Sequence, residues 1–312
     1  MSEMELHPVI DMPRPRSLIL RMDITNICNL DCIGCALVDD RKSFGEPAAS
    51  MQVGIFEKIA SEVFPYLSEV ALSCEAEPTL HPQFARIMKT IADSNPPPVR
   101  MTTNGTMFTK ERLDAIFDAG IFGMNVSIDG FAAETFARLR KNGQISTVFE
   151  GLDEIVRRKT ALGRGAMDLP RISINYTLMK STLHELIPLI EYARRWGLED
   201  FTVTHVYSPY SKDMRHEFLS DWPKETDSVL IKAQEKCREY GFTPRFPALF
   251  HPAKPPVWQR LAAKLRPAPM LPVAVAPSQP GPACSAPWNM LKIRWDGSVH
   301  PCDLWNFHHP LA

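Results

Sequence analysis

The chain has 312 residues, 45% hydrophobic and 23% charged, with a formal net charge of −1. That length suits one large domain with a smaller companion, and the near-neutral balance excludes an electrostatic footprint for nucleic acid or an anionic membrane surface. The acidic start Met1-Ser2-Glu3-Met4-Glu5 has no apolar run behind it, and no stretch approaches transmembrane length. With clustered thiols, this predicts a cytoplasmic protein with no membrane partner.

A mostly apolar run over 17–25 predicts a buried strand. It leads straight into Thr25-Asn26-Ile27-Cys28-Asn29-Leu30-Asp31-Cys32-Ile33-Gly34-Cys35, where three and then two residues separate the cysteines. Three thiolates on one loop can each hold one iron of a 4Fe–4S cube, leaving the fourth iron open to a small molecule. A zinc site wants four ligands, and no fourth lies nearby. A disulfide with one spare thiol belongs to an oxidising compartment.

Helical spacing covers 52–66, with Val53, Phe56, Ile59, Ala60 and Val63 on one side and Pro65 as its stop. A second strand over 69–73 is followed by Cys74-Glu75-Ala76-Glu77-Pro78. Cys74 reads as a packed small residue. A helix over 84–94 is broken by Pro96-Pro97-Pro98, and a third strand over 99–103 runs into Asn104-Gly105, by itself an ordinary turn. A helix over 110–119 stops at Gly120. The fourth strand, 122–128, ends in Ser127-Ile128-Asp129-Gly130, with Glu134-Thr135 and Arg138-Leu139-Arg140 beyond. Taken alone, Arg140 is equally well a solvated helix charge.

A helix over 147–159, a fifth strand over 171–179 with alternating Ile172, Ile174, Tyr176 and Leu178, a helix over 184–196 and a sixth strand over 201–207 complete the series. Six strand–helix alternations indicate an α/β fold with a parallel sheet and right-handed crossovers, and no seventh or eighth repeat is read. His205 and Tyr207, near the end of the last strand, are candidate substrate-facing residues, set against a packing role. A further helix over 226–240 contains Cys237, read as structural. From Pro244 to Pro287 the sequence is a proline-rich linker with one short helical candidate over 257–265. Then Cys284-Ser285-Ala286-Pro287-Trp288 precedes a strand, an Asp296-Gly297 hairpin turn and a return strand reaching Cys302.

These motifs, in this order, resemble the radical S-adenosylmethionine (radical SAM) enzymes, and more closely the branch with a C-terminal SPASM or twitch domain. The resemblance runs from about Ser17 to Cys302. It implies an open partial (β/α)6 TIM-like barrel with a short, incomplete SPASM/twitch-like β-hairpin region. The organisation expected is an N-terminal extension (1–16), the barrel and its following helix (17–243), a linker (244–283) and an auxiliary-domain opening (284–312). In the family, the cysteine trio corresponding to Cys28, Cys32 and Cys35 holds the SAM-binding 4Fe–4S cluster. Glu77 falls in a segment similar to the Gly-Gly-Glu-Pro that meets the amino group of SAM, with Cys74, Glu75 and Ala76 in place of the usual small residues. Asn104, Ser127 and Arg140 stand where the family contacts SAM.

Cys284 and Cys302 are candidate ligands of an auxiliary Fe–S cluster. The later cysteines of that domain are missing, so the expectation is a fragment whose longer parent completes the set. The implied activity is reductive cleavage of SAM to a 5′-deoxyadenosyl radical that abstracts a hydrogen atom from a peptide or protein, or, second, from a small molecule. A reductant such as flavodoxin or ferredoxin is implied. From another class, a non-catalytic Fe–S carrier or redox sensor would leave SAM intact.

Overall fold

The computed structural model describes residues 18–35, 37–38, 45, 47–72, 75–206, 212–251 and 289–301. The predicted Val257–Leu265 helix candidate, Cys74, Tyr207, Cys284 and Cys302 lie outside them.

The six predicted strands form, in order, as β1 (Ile19–Met22), β3 (Glu69–Leu72), β4 (Val99–Thr103), β5 (Gly123–Ser127), β7 (Arg171–Leu178) and β8 (Asp200–His205). Each pairs in parallel with the next. Their connections are helical: Val53–Glu62, Phe84–Asp93, Lys110–Asp118, Ala133–Leu139 with Ile145–Ala161, and Leu186–Ala193. Periodicity explains them. In Phe84–Asp93, for instance, Phe84, Ile87, Met88 and Ile91 are buried along one face.

Two additions were not expected. After the helix Pro223–Glu239, a seventh parallel strand, β9 (Thr243–Arg245), pairs with β8. It is only three residues long and contains Pro244, which suits a sheet edge. At the other end, β10 (Met290–Ile293) pairs in parallel with β1, and β11 (Val299–His300) returns antiparallel to it across the Asp296-Gly297 turn. The predicted hairpin therefore forms, and it extends the barrel sheet. The full order is β11-β10-β1-β3-β4-β5-β7-β8-β9. Among the described residues the sheet does not close on itself, in keeping with a partial barrel.

Register divides the sheet into two unlike faces. Leu20, Met22, Val70, Leu72, Met101, Met124, Val126, Ile172, Ile174, Leu178 and Phe201 are wholly buried and belong to the apolar core beneath the helices. On the opposite row, pairing aligns Thr102 with Asn125, Asn125 with Ser173, Ser127 with Asn175, and Thr177 with Thr204. Most of that row is partly accessible. A parallel sheet normally buries both faces in apolar residues, and this polar, partly accessible row departs from that pattern. Its N-terminal end is closed by ion pairs: Arg100 to Glu199 at 2.8 Å, Arg171 to Glu199 at 3.0 Å and Arg245 to Asp200 at 3.1 Å. Gly123 is small because a Cβ there would come within 2.6 Å of the Arg100 guanidinium.

Candidate functional site

The cysteine loop leaves β1 at the C-terminal edge of the sheet, where loops gather chemistry in parallel α/β folds. Its base is clipped by polar side chains. Asn26 donates to the Pro47 carbonyl at 2.9 Å and accepts from the Ala49 N–H at 2.7 Å, while the Thr25 hydroxyl donates to the Ala49 carbonyl at 3.0 Å. Farther along, β2 (Asp31–Cys32) pairs antiparallel with β6 (Arg140–Lys141), which puts Cys32 opposite Arg140. The Ile33 N–H donates to the Leu139 carbonyl at 2.9 Å, and Gly34 takes φ +69° between Cys32 and Cys35.

Cys28, Cys32 and Cys35 are all free thiols, partly buried. Burial pushes the Cys28 thiol up, and it pushes Cys32 up to about 12 against the opposing pull of Arg140. Soft thiol donors that resist ionising on their own fit a centre whose positive charge displaces their protons. Among the described residues, no three His, Cys, Asp or Glu side chains converge as a site for a single metal ion. A cubane asks for something different, because each thiolate takes its own iron.

Asn104 and Glu77 organise the neighbouring loops. Asn104 Nδ2 lies 3.8 Å from Cys28 Sγ and donates to Asn29 Oδ1 at 2.9 Å, while its Oδ1 accepts from Thr106 N–H and Oγ1. Glu77 is 1% exposed. Its Oε1 accepts from the Thr79 N–H, the Thr79 hydroxyl and the Thr103 hydroxyl, and its Oε2 accepts from the Asn104 N–H at 2.7 Å. Burial raises the Glu77 pKa, and those donors pull it back. The Glu77 N–H in turn donates to the Ile27 carbonyl at 3.1 Å. Glu77 thus fastens the loop after β3 to the loop after β4 and to the cysteine loop. Glu77→Ala strands buried donors at about 1–3 kcal/mol each, so urea unfolding of the variant is expected to move to clearly lower midpoints.

Arg140 is no surface charge. Its side chain is 11% exposed and pairs with Asp129 at 2.5 Å, and Asp129 Oδ1 accepts the Thr177 N–H at 2.8 Å. Burial opposes the Arg140 charge, yet the Asp129 carboxylate more than offsets it and holds the pKa high. Arg140 Nε is buried without a hydrogen-bond partner in the structure. Ser127 ends β5 on the polar row, beside Asn175.

His205 belongs elsewhere. It pairs in register with Leu178, on the helix-covered row, and its ring packs edge-on against Phe250 at 5.1 Å. Burial lowers its pKa. Of the two roles weighed for His205, substrate-facing and packing, the contact with Phe250 is a packing contact. Residues that motif reading passed over are Asp129, Asn29 and Thr106. Asp129 stood inside a quoted motif and Asn29 between two of the cysteines, but nothing in the sequence announced their partners.

The profile of the Radical SAM superfamily matches residues 22–193. A GTP 3′,8-cyclase of Synechocystis is 29% identical over 58% of this chain and 51% of its own length, so the chain spans about half of that relative. By fold, SuiB of Streptococcus suis bound to S-adenosylmethionine matches with a TM-score of 0.67 at 14% identity, over 95% of this chain and 63% of that one. The structure of native anSMEcpe with bound AdoMet matches at 0.63 and 17% identity, over 93% and 76%. The chain belongs to the radical SAM superfamily, whose enzymes work with a 4Fe–4S cluster and SAM. No helix among the described residues is long and apolar enough to cross a membrane.

Proposed function

We propose that Cys28, Cys32 and Cys35 hold the 4Fe–4S cluster and that SAM lies across the strand ends between the Glu77 loop and Arg140. The ladder pairing Cys32 with Arg140 carries this reading, because it sets a soft-donor loop beside a buried guanidinium whose Nε has a hydrogen bond to give. Thiolates suit iron–sulfur chemistry, and a guanidinium suits an amino-acid carboxylate. With both groups bound, the site supplies an electron to the sulfonium of SAM and so a 5′-deoxyadenosyl radical that takes a hydrogen atom from the substrate. The chain's own part is positional. Asp129 holds Arg140, Asn104 and Asn29 hold the Cys28 side of the loop, and Ser127 with the polar row orients ligands. A flavodoxin- or ferredoxin-type protein suits the role of reductant. Residues 17–243 are read as the catalytic unit, with Cys284 and Cys302 opening an auxiliary-cluster region.

For the substrate we favour a peptide or protein. The C-terminal halves of β5, β7 and β8 offer Ser127, Asn175, Thr177 and Thr204, uncharged groups matched to amides. Among the described residues, Arg100, Arg171 and Arg245 sit at the opposite end of this face and are taken by Glu199 and Asp200. A second reading, a nucleotide triphosphate, draws on the GTP 3′,8-cyclase relatives. Anaerobically reconstituted protein with dithionite and SAM, with and without GTP, separates them by chromatography. The expected result is 5′-deoxyadenosine with GTP unconsumed. GTP loss matching 5′-deoxyadenosine would move the function to the second reading, and intact SAM would leave an electron carrier.

A further inference from the structure

The C-terminal hairpin does more than extend the sheet. Lys292, in β10, is 0% exposed. Its ammonium donates to Glu75 Oε1 and lies 3.5 Å from Asp23 Oδ2. Asp23, just after β1, accepts the Glu75 N–H on its other oxygen at 3.0 Å, and its own N–H donates to the Ile293 carbonyl at 2.9 Å. A lysine is buried this deeply only when its charge is answered by carboxylates and hydrogen bonds. Here the answer comes from two segments far away in sequence, the end of the first strand and the loop after the second. That loop continues within two residues to Glu77, which grips the Asn104 loop and the cysteine loop. One ammonium therefore links the hairpin to the stretch that frames the candidate SAM site.

We infer that Lys292 is a positioning residue: through Glu75 and Asp23 it sets the loop 75–77, so docking of the C-terminal hairpin and SAM binding favour one another. The SAM half of this statement rests on the placing of SAM at that loop proposed above. Coupling of this kind is reciprocal. A hairpin held by Lys292 raises SAM affinity, and bound SAM holds the hairpin.

The test uses the full reconstituted chain. Lys292→Met, Lys292→Arg and the exposed hairpin control Val299→Ala are compared by iron content, by calorimetric titration with SAM and by hydrogen exchange of residues 75–80. Lys292→Met is expected to keep its iron, exchange faster at 75–80 and bind SAM about five- to a hundredfold more weakly, the usual size of coupling between two linked sites. Lys292→Arg recovers part of both, and Val299→Ala changes neither. Unaltered exchange and unaltered SAM affinity in Lys292→Met would overturn the inference. Faster exchange with wild-type SAM affinity would support the link to the loop and overturn the placing of SAM there. Should Lys292→Met fail to fold, Glu75→Gln removes the same pair from its partly exposed end, and the same two readouts decide.

Discussion

Cys32→Ala is expected to fold and yet to hold no SAM-cleaving cluster. After anaerobic reconstitution its iron falls from near four per chain, the content of one cubane, toward zero, and the reduced-cluster EPR signal disappears. The fold survives because the ladder between β2 and β6 is made by backbone groups, which alanine keeps. Cys28→Ala and Cys35→Ala are expected to behave alike, since in the proposed cluster each thiolate would hold a different iron. Cys237→Ala is the control, because that thiol is wholly buried on the inner face of the helix Pro223–Glu239 and far from the loop in sequence. An unchanged EPR signal in Cys32→Ala would remove the cluster assignment.

Arg140→Met is expected to damage two things at once. It strands Asp129, which is 11% exposed, without its cation. Removing one partner of a buried pair costs about 3–5 kcal/mol, which a urea titration of the unloaded protein would detect. In the loaded protein, SAM affinity falls by about ten- to a hundredfold. The double variant Arg140→Met, Asp129→Leu separates these effects. It regains part of the stability, since no lone charge remains although the Thr177 N–H loses its acceptor, but not SAM affinity. Wild-type SAM affinity in both would detach Arg140 from the ligand.

The α/β architecture was legible because each strand writes its buried face in apolar residues. Ile172, Ile174 and Leu178 alternate with Ser173, Asn175 and Thr177, so the period shows the strand and the polar partners show the open face. β2 and β6 could not be read the same way. Each is two residues long, and the pairing exists only because the rest of the fold brings Cys32 and Arg140 together. Arg140 shows the limit sharply. Sequence leaves a basic residue after a short helix equally suited to solvent or to a buried pair, and Asp129, eleven positions earlier, decides it in space. Lys292 is a similar case, since its carboxylates come from residues 23 and 75. His205 shows how little separates the two roles weighed for it, as one residue of register in β8 divides the polar row from the helix-covered one.

The pairing of β10 with β1 also bears on how the protein is made. β1 leaves the ribosome long before β10, yet one of its two neighbours comes from residues 290–293. At roughly 5–20 residues per second, on the order of 15–50 s pass before that neighbour is synthesised. Throughout this interval β1 is an open edge, able to template pairing with another chain, and the loop with three free thiols follows it directly. The nascent protein is thus most open to aggregation at that edge, and completion of the hairpin covers it.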